Sequence, residues 1–512
     1  MVVALTLLLS AGPAAAQQRA AYEELQTLSG VLNHIRLNYV DSVGYGQLVQ
    51  AAIRGVLRAL DPHSYFVSRI EWEQRNALER GELVGVGIAL EEVDGAATVL
   101  HVVPSSPAAK AGVLPGDRLV ALNDTAVAGL DMEAIALRLA GEKGSKVRLL
   151  LERGARLEPD TLAVTLKRNR YEVRSVSLVR MADSTTGYLR LEDFLGDASQ
   201  EVHDALNRLR GMRARQIVLD LRGNPGGSVV ASVEVAAEFF PKNTVVFRTK
   251  GRKRDVDTTY RTKRDGDFAR FPLVVLIDER SASAAEALAG SLQDHDRALI
   301  LGRRSFGKAL MQSLFFLPSG DNVWLTIGYV LTPSGRFVQR RYGGLAYEQY
   351  LSFAGRSGAA EDTLALFRTD NGREMRGGGG IVPDVALPER APLPVWWSAA
   401  ADSGFDDAVA DSVAHTLPVG VAARAAWMTA SEEWRARLVP PFLERVRGGL
   451  GVAARPDSAL ERRLARILAA RAAEVRWGPD AREEFVVRND PAIRAALAQF
   501  PRLTELLAPR PH

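Results

Sequence analysis

The chain reads FPLVVLIDERSASAAEALAG over residues 271–290. Its first part is a continuous apolar run rich in β-branched residues, which predicts a buried strand. Its last part is rich in alanine and predicts a helix. Ser283 lies between the two, so we expect it at a helix N-terminus, where backbone N–H groups and the helix dipole favour negative charge. The stretch therefore predicts a strand, a tight turn and a helix within an α/β core.

Two interpretations of Ser283 follow from this position. In the first, Ser281 or Ser283 caps the helix, and Glu286, three residues after Ser283, completes a capping box. Serine is a common capping residue, so this interpretation requires no chemistry. In the second, Ser283 is a nucleophile, and a nearby group must then accept the proton of its hydroxyl as it attacks a carbonyl.

A candidate base follows in FGK at 306–308, where Lys308 is the last lysine of the chain. A lysine acts as a base only when it is neutral. Its pKa in water is about 10.4, and burial among apolar groups lowers that value by about 3–5 units in the extreme. Arginine could not act in this way. An exposed lysine after a glycine turn is the alternative interpretation. Together, Ser283 and Lys308 predict a serine–lysine hydrolase.

A second strand-to-turn stretch, QIVLDLRGNPGGS at 216–228, ends in the paired glycines Gly226 and Gly227. Paired glycines allow backbone N–H groups to approach a ligand closely. An oxyanion hole needs such preorganised donors. A phosphate-binding loop is the alternative, but the Gly-Lys-Ser/Thr sequence of a Walker loop does not follow these glycines.

Several motifs together make the chain resemble the carboxy-terminal processing proteases, also called tail-specific proteases, over about residues 25 to 385. The motifs are DLRGNPGG at 220–227, SASA at 281–284, QDH at 293–295, FGK at 306–308 with Gln312, LTPSGR at 331–336 and GIVPD at 380–384. The resemblance implies a ClpP/crotonase-like α/β core with Ser283 as nucleophile and Lys308 as general base. It also implies that Gln312, one helical turn beyond Lys308, orients that lysine. The amides of Ala284 and of Gly226 or Gly227 would form the oxyanion hole.

Histidine offers a competing chemistry, the Ser-His-Asp triad, and His295 is the histidine nearest to Ser283 in the sequence. If the intervening segment is helical, His295 lies about three turns beyond Ser283, too far along the axis to reach it. We therefore expect His295 to be a structural or surface residue. The chain has no cysteine and no HExxH motif, so a thiol enzyme or a zinc protease of that type is not supported, and we expect no metal and no cofactor.

Residues 82–168 show the strand and helix order of a PDZ domain. Such domains bind an extended peptide by adding it to a sheet edge, and amides of a glycine-containing loop hold its terminal carboxylate. Here that loop would be Gly85, Val86, Gly87 and Ile88, unless the stretch is an ordinary glycine-rich hairpin. The resemblance implies substrates with apolar C-termini. A catalytically silent PDZ scaffold is the alternative, but intact Ser283, Lys308 and Gln312 favour an enzyme.

The whole chain is predicted to be a multidomain α/β protein with five segments. They are a signal peptide (1–16), an N-terminal helical region (17–81), the PDZ-like β-rich domain (82–168), the Ser-Lys protease core (169–385) and a helical C-terminal extension (386–512). The apolar segment before Ala16 predicts export to the periplasm or cell envelope, although no basic residue precedes it. An uncleaved membrane anchor is the alternative, and the segment is shorter than the roughly 20 residues of a spanning helix.

Charge patterning argues against a nucleic-acid partner. The chain has 512 residues and a formal net charge of only +4. Its basic cluster at 250–254 is interleaved downstream with aspartates, which predicts a solvated loop or hairpin of the catalytic domain with little net field. Amphipathic helices at Glu432–Arg447 and Leu460–Arg476 are expected to pack on the protease. Self-association, a partner on these helices and an activating adaptor stay open.

Overall fold

The computed structural model describes residues 13–508, apart from 70, 74–75, 77–81, 94–95, 104–105, 115, 131, 154–159, 346–348, 351–364 and 389–392. Most of the predicted signal peptide, residues 1–12, lies outside the described residues, and residues 13–16 begin the first helix. The chain divides into two compact units, which are described separately. The first comprises Met1–Arg69, Gln312–Thr326 and Tyr342–Ser352, and the second comprises Ile70–Met311, Ile327–Arg341 and Phe353–His512.

The described strands follow one another in this order: β1 (Tyr65–Val67), β2 (Glu82–Gly85), β3 (Ile88–Val93), β4 (Ala96–Val102), β5 (Arg118–Leu122), β6 (Thr125–Ala126), β7 (Lys146–Arg153), β8 (Asp160–Lys167), β9 (Asn169–Glu172), β10 (Val176–Met181), β11 (Thr186–Leu191), β12 (Gln216–Asp220), β13 (Val245–Gly251), β14 (Thr258–Arg261), β15 (Leu273–Ile277), β16 (Leu299–Gly302), β17 (Leu310–Phe316), β18 (Asn322–Leu331), β19 (Leu366–Arg368), β20 (Glu374–Arg376) and β21 (Val385–Ala386).

The described helices are α1 (Pro13–Asn38), α2 (Tyr45–Arg58), α3 (Pro107–Lys110), α4 (Met132–Leu139), α5 (Ala198–Gly211), α6 (Val229–Ala236), α7 (Ala284–Asp294), α8 (Val395–Asp402), α9 (Phe405–Thr416), α10 (Val421–Trp427), α11 (Ser431–Leu450), α12 (Ser458–Trp477), α13 (Pro479–Asn489), α14 (Pro491–Gln499) and α15 (Leu503–Leu506). Short 3₁₀ helices lie at Arg254–Val256 and Phe500–Arg502. The predicted combination of helical ends with a mixed α/β middle is confirmed.

The first unit is built from α1, α2 and β1, with β1 paired antiparallel to the first part of β18. Asp61 closes the turn before β1, because its carboxylate accepts the amides of His63 and Ser64 at 2.7 and 2.8 Å. No helix within the described part of the chain combines the length and the apolarity that crossing a membrane requires.

In the second unit, residues 82–172 form a small antiparallel β domain. Its sheet has the strand order β3-β4-β5-β7-β8, with β6 added to β5. Strands β2 and β9 pair with each other where the chain enters and leaves the domain. The core is made of side chains that alternate along these strands, among them the fully buried Val147, Leu149 and Leu151 of β7. Strand β3 ends the sheet on one side, and α4 contacts it.

The larger sheet of the second unit has the order β10-β11-β12-β15-β16-β21 and is parallel except for the β10–β11 pair. All five residues of β15 are buried, as the uninterrupted apolar run predicted, and α7 follows. Side chains of α5, α6 and α7 cover one face of this sheet. Because β12, β15 and β16 are parallel neighbours, the turns that follow them meet at one edge of the sheet.

The basic cluster at 250–254 runs from the end of β13 into the turn of a hairpin, and a hairpin was one of the two forms predicted, a loop being the other. Strands β13 and β14 pair antiparallel around the 3₁₀ helix Arg254–Val256. The second part of β18 pairs with β13 on the opposite side from β14.

The C-terminal helices divide into two groups. The predicted helices α11 and α12 pack with α8, α9 and α10 around their own core, which contains Trp427, Trp434 and Phe442. Helices α13, α14 and α15 cover the second face of the large sheet, where Val487, Ile493 and Leu503 join the strand residues Val218, Leu276 and Leu301. Helices α11 and α12 were expected to pack on the protease core, but their buried side chains form this separate core instead. The contact with the large sheet is made by the last three helices, which the sequence analysis did not single out.

Candidate active site

Ser283 lies immediately before α7 in a strained backbone conformation. Its φ is +56° and its ψ is −115°, although it carries a side chain. L-residues other than glycine rarely adopt positive φ, and the conformation costs about 1–3 kcal/mol. Such strain persists only where the surrounding structure imposes it, and it is common at functional sites.

Glu286 joins the turn of Ser283 to the loop of Lys308. Its side chain is almost fully buried. One carboxylate oxygen, Oε2, accepts the amide of Ser283 at 2.9 Å and the amide of Lys308 at 2.8 Å. The other oxygen, Oε1, accepts the Gly307 amide at 2.6 Å and the Ser305 hydroxyl at 2.5 Å. Because both amide nitrogens are within 2.9 Å of one oxygen, the backbones of Ser283 and Lys308 lie within about 6 Å of each other.

Burial raises the pKa of Glu286 from its ordinary value to about 7, and the four hydrogen bonds from Ser305, Lys308, Gly307 and Ser283 oppose that rise. All four partners are donors. A carboxylate accepts hydrogen bonds at both oxygens, whereas a protonated carboxyl group must donate one itself. The four donors therefore favour the ionised carboxylate. Burial in a site of low polarity disfavours the charge, and the balance of the two effects leaves the pKa of Glu286 at about 7.

The predicted oxyanion turn after β12 is attached to the turn of Ser283. The buried Asn224 accepts the Gly226 amide at its Oδ1 atom, 2.9 Å away, and its backbone carbonyl accepts the Ala282 amide at 2.9 Å. A Cβ atom at Gly226 would lie 2.8 Å from the Cβ of Ser283 and 3.0 Å from the Ala284 nitrogen. Only glycine fits this close approach between the two turns.

The backbone N–H groups of the two turns differ in whether they already donate a hydrogen bond. The Gly226 amide donates to Asn224. Among the described residues, the amides of Gly227 and Ala284 have no hydrogen-bond acceptor within the protein. Ala284 is the first residue of α7, a position whose N–H has no partner inside the helix.

An ion-pair network supports the start of the same turn. The fully buried Asp220 accepts the guanidinium of Arg222, with Arg222 NH2 at 2.6 Å from its Oδ2 atom. Tyr188 donates its hydroxyl to the same oxygen at 2.7 Å. Burial alone would raise the pKa of Asp220, but Arg222 and the other hydrogen bonds outweigh burial and lower the pKa. Asp220 is therefore an anion that holds Arg222 in place.

Gln312 is not one helical turn beyond Lys308, and this prediction is wrong. Residues 310–316 form strand β17, so the i,i+4 proximity of a helix does not apply. The side-chain amide of Gln312 donates to the backbone carbonyl of His63. Side chains four residues apart lie one turn above each other only in a helix, and Gln312 lies in a strand.

His295 lies at the opposite end of α7 from Ser283, as expected. It is the residue that follows the last turn of the helix, and its two ring nitrogens lie 2.7 Å from Asp370 Oδ2 and 2.8 Å from the Val245 carbonyl. An 11-residue helix rises about 16 Å. His295 is therefore a structural histidine at the far end of the helix.

The predicted peptide-binding loop connects β2 to β3 in the small β domain. Gly85 ends β2, Val86 is buried, and Ile88 begins β3. The Gly87 carbonyl accepts the Val103 amide at 2.9 Å. The facing residues Ile88 and Val102 are therefore a non-hydrogen-bonded pair of the antiparallel ladder, and the Ile88 N–H points to the open side of β3. Glycine is required at Gly87, where φ is +80° and a Cβ atom would overlap the side chain of Ser106.

Two contributors to the site were missed by sequence reasoning. Ser305 donates to Glu286 and also accepts the Ile381 amide at 2.6 Å, so it links the GIVPD motif to the site. Asn224 belongs to the DLRGNPGG motif, but no sequence pattern indicated that its side chain would accept the Gly226 amide. For both residues the only sequence signal was proximity to a motif.

Comparison with known proteins identifies two families along the chain. Residues 98–153 match the family model of the PDZ domain, and residues 185–347 match that of peptidase family S41. A carboxy-terminal-processing protease of Bartonella bacilliformis is 31% identical over 328 residues, which are 63% of this chain and 74% of the relative. The carboxy-terminal processing protease CtpA of Bacillus subtilis is 28% identical over 343 residues, 66% of this chain and 72% of the relative.

A solved structure, a photosystem II D1 C-terminal processing protease, aligns with 25% identity and a TM-score of 0.39, covering 70% of this chain and 86% of that one. The two family models together extend over most of the β domain, part of the large sheet and the two turns that carry Ser283 and Gly226. The chain belongs to the carboxy-terminal processing proteases of peptidase family S41, a family of serine peptidases, and carries a PDZ domain.

Proposed function

We propose that the protein hydrolyses peptide bonds with Ser283 as the nucleophile and Lys308 as the general base. One observation carries the proposal: the buried carboxylate of Glu286 binds the backbone amides of both residues through the same oxygen. The two residues come from separate loops, and this shared acceptor holds their backbones together. The positive φ of Ser283 further supports a specialised role for it.

In the proposed reaction, neutral Lys308 accepts the hydroxyl proton as Ser283 Oγ attacks the carbonyl carbon of the substrate. The tetrahedral intermediate collapses to an acyl-enzyme, and the lysine ammonium gives its proton to the departing amine. Water then releases the acyl group by the same route. The amide of Ala284 would stabilise the oxyanion, together with the Gly227 amide rather than that of Gly226, because Asn224 occupies the latter.

For the PDZ domain, we propose that an extended C-terminal segment of the substrate adds to the open edge of β3. The Ile88 N–H is available on that edge, and the loop of Gly85, Val86 and Gly87 lies at its start. Strand addition supplies main-chain hydrogen bonds, and alternate side chains of the peptide enter neighbouring pockets. We expect apolar C-termini, as the family resemblance implies, and export of the enzyme to the periplasm or cell envelope.

The deciding experiment follows cleavage of an unfolded reporter with an apolar C-terminal tail by the purified full chain. Ser283→Ala and Lys308→Arg are compared with Lys242→Ala, which removes an exposed lysine of the same domain. Arginine keeps the charge of Lys308 but cannot act as a base. We expect cleavage to fall at least about 10³-fold in the first two variants and to remain in the third. Unchanged cleavage by Lys308→Arg would exclude lysine as the base.

Tail recognition is tested with three versions of the reporter: an apolar tail, the same tail with a C-terminal amide, and a tail with two added aspartates. Binding and cleavage should weaken for the second and third. If the apolar tail binds but wild-type protein cuts it no faster than Ser283→Ala, the silent scaffold is favoured. The role that the resemblance implies for Gln312 is tested by Gln312→Ala, for which an unchanged kcat would exclude it.

A further inference from the structure

The side chain of Asp490, in the C-terminal helical extension, contacts the turn of residues 222–227 that follows β12. This residue lies between α13 and α14 and caps α14, because its Oδ1 atom accepts the amides of Ala492 at 2.7 Å and Ile493 at 3.3 Å. The same carboxylate also binds Arg222 NH1, at 3.2 Å from Oδ1 and 3.1 Å from Oδ2. An N-cap needs only the first of these two sets of contacts.

Arg222 is shared between two carboxylates. Its Nε atom lies 2.9 Å from Asp220 Oδ1 and its NH2 atom 2.6 Å from Asp220 Oδ2, so Asp220 occupies one side of the guanidinium. Asp490 occupies NH1 on the other side. The side chains of Arg222 and Asp490 are 16% and 13% exposed, so solvent competes little for this pair. A planar guanidinium held from both sides has little freedom to rotate.

The position of Arg222 bears directly on the proposed oxyanion amides. Arg222 is followed by Gly223, whose amide donates to Asp278 at 2.9 Å, and then by Asn224, which accepts the amides of Gly226 and Ala282. Arg222 therefore lies at the start of a hydrogen-bonded turn that ends at Gly227. Ile493 of α14 is buried against the large sheet, so Asp490 is fixed to the body of the protein.

We propose that Asp490 is a positioning residue: through Arg222 it holds the turn of residues 222–227 in the arrangement that presents the Gly227 amide. The inference rests on the proposed function in so far as that turn stabilises the oxyanion. It assigns part of the catalytic machinery to the C-terminal extension, which lies beyond residues 185–347 that match the peptidase family.

The test separates the capping role of Asp490 from its charge. Asp490→Asn keeps a good N-cap and removes the charge, whereas Asp490→Glu keeps the charge and weakens the cap. Asp457→Asn is the matched control, because Asp457 caps α12 through the amides of Ala459 and Leu460 at 3.0 and 2.7 Å and forms no ion pair among the described residues. Each variant is prepared as the full chain and assayed well below its thermal midpoint.

We expect Asp490→Asn to lower kcat about 10-fold with KM within about twofold of wild type, since one oxyanion donor is displaced rather than lost. Asp490→Glu should recover most of that kcat. Hydrogen exchange of the amides of residues 223–228 should accelerate in Asp490→Asn and stay at the wild-type rate in Asp457→Asn. Hydrogen exchange does not require turnover. It therefore tests the positioning role of Asp490 even if wild-type protein cleaves the reporter no faster than Ser283→Ala does.

Two results would overturn the inference. One is an Asp490→Asn protein with wild-type kcat and wild-type exchange in residues 223–228. The other is a loss of activity that follows the cap rather than the charge, with Asp490→Glu impaired and Asp490→Asn intact, which would reduce Asp490 to a residue that only stabilises α14.

Discussion

At the scale of single residues, the candidate site contains two features that each cost folding free energy, a strained backbone and a buried charge, and they lie three residues apart. Ser283 has a positive φ, and Glu286 is a buried carboxylate with four hydrogen-bond donors around it. The sequence allowed an ordinary capping box at this position. In the structure the same glutamate also holds the loop of Lys308, so the cap and the candidate catalytic pair share one side chain.

The strain at Ser283 predicts the relative stability of two variants that lack its hydroxyl group. Glycine adopts positive φ at no steric cost, whereas alanine retains the Cβ atom that causes the strain. Ser283→Gly should therefore be more stable than Ser283→Ala by about 1 kcal/mol, an increase of roughly 2–4 °C in the thermal midpoint of the domain. Scanning calorimetry of the two proteins provides the comparison. A lower midpoint for the glycine variant would mean that the turn is not strained in solution.

The raised pKa of Glu286 predicts how stability varies with pH. The folded protein binds the proton of Glu286 more tightly than the unfolded chain does, because burial raises the pKa of this group to about 7 in the folded state. The contribution of Glu286 to the free energy of unfolding is therefore greatest below the pKa of the unfolded chain, and it is lost as pH rises towards 7. Its size is about 1.4 kcal/mol for each unit by which the folded pKa exceeds the unfolded pKa. Relative to Glu286→Gln, wild-type protein should lose thermal stability between pH 5 and pH 8.

The same comparison distinguishes burial from hydrogen bonding as the dominant effect on Glu286. If wild-type protein instead gains stability over Glu286→Gln with rising pH, the four donors hold the carboxylate ionised and its pKa lies below the ordinary value. Glu286→Gln should also lower kcat at all pH values, because an amide oxygen cannot replace both carboxylate oxygens as acceptors.

At the scale of elements, the site is formed where three parallel strands end. The turns after β12, β15 and β16 provide the Gly226–Gly227 pair, Ser283 and Lys308 respectively. Parallel strands place such turns side by side at one edge of the sheet, which is why residues far apart in sequence meet there. The first two turns are in direct contact, since Ala282 donates to the Asn224 carbonyl.

This contact predicts the effect of adding one methyl group to the oxyanion turn. In Gly226→Ala, the new Cβ would lie 2.9 Å from the Ala282 carbonyl oxygen and 2.8 Å from the Cβ of Ser283, at a residue with φ of +104°. The two turns must separate, so we expect kcat to fall about 100-fold or more and the thermal midpoint to fall. Gly211→Ala is the control, because no atom lies within 4 Å of its added Cβ. Wild-type kinetics for Gly226→Ala would contradict the contact.

At the scale of the whole molecule, the second face of the large sheet is covered by the C-terminal helices. Ile493 packs there with Val218 and Leu276, and Asp490 continues the contact to Arg222. In this chain the last helices of the extension, α13 to α15, are therefore part of the core of the protease. Its other helices, α8 to α12, surround a second core of their own.

Truncation of this packing should destabilise the protease core. Ile493→Ala removes a side chain that is 1% exposed, and we expect a loss of about 2–5 kcal/mol in unfolding free energy. Val486→Ala, at a residue of α13 that is 42% exposed, should change stability by less than about 0.5 kcal/mol. Denaturant unfolding followed by tryptophan fluorescence measures both. Equal effects of the two substitutions would show that α14 does not pack on the sheet in solution.

The local structure around the candidate site could be predicted from neighbouring residues alone. The apolar run at 271–278 and the alanine-rich run after Ser283 predicted β15 and α7, because burial and helix propensity act over a few neighbouring residues. Amphipathic spacing likewise predicted helices of the C-terminal extension, which are α11 and α12. One prediction of local structure was wrong: the helical turn given with the family resemblance between Lys308 and Gln312 is absent, because pairing within a sheet makes residues 310–316 strand β17.

The contacts between residues far apart in the chain could not be predicted in this way. Glu286 binds amides on both sides of the site, and Arg222 meets Asp490 across 268 residues of chain. No periodicity or propensity encodes such pairs, since they depend on the order of strands in the sheet and on the packing of α14 against it. The sequence therefore specified the chemical groups and their local turns, and long-range packing set the distances and burial that would make those groups a catalytic site.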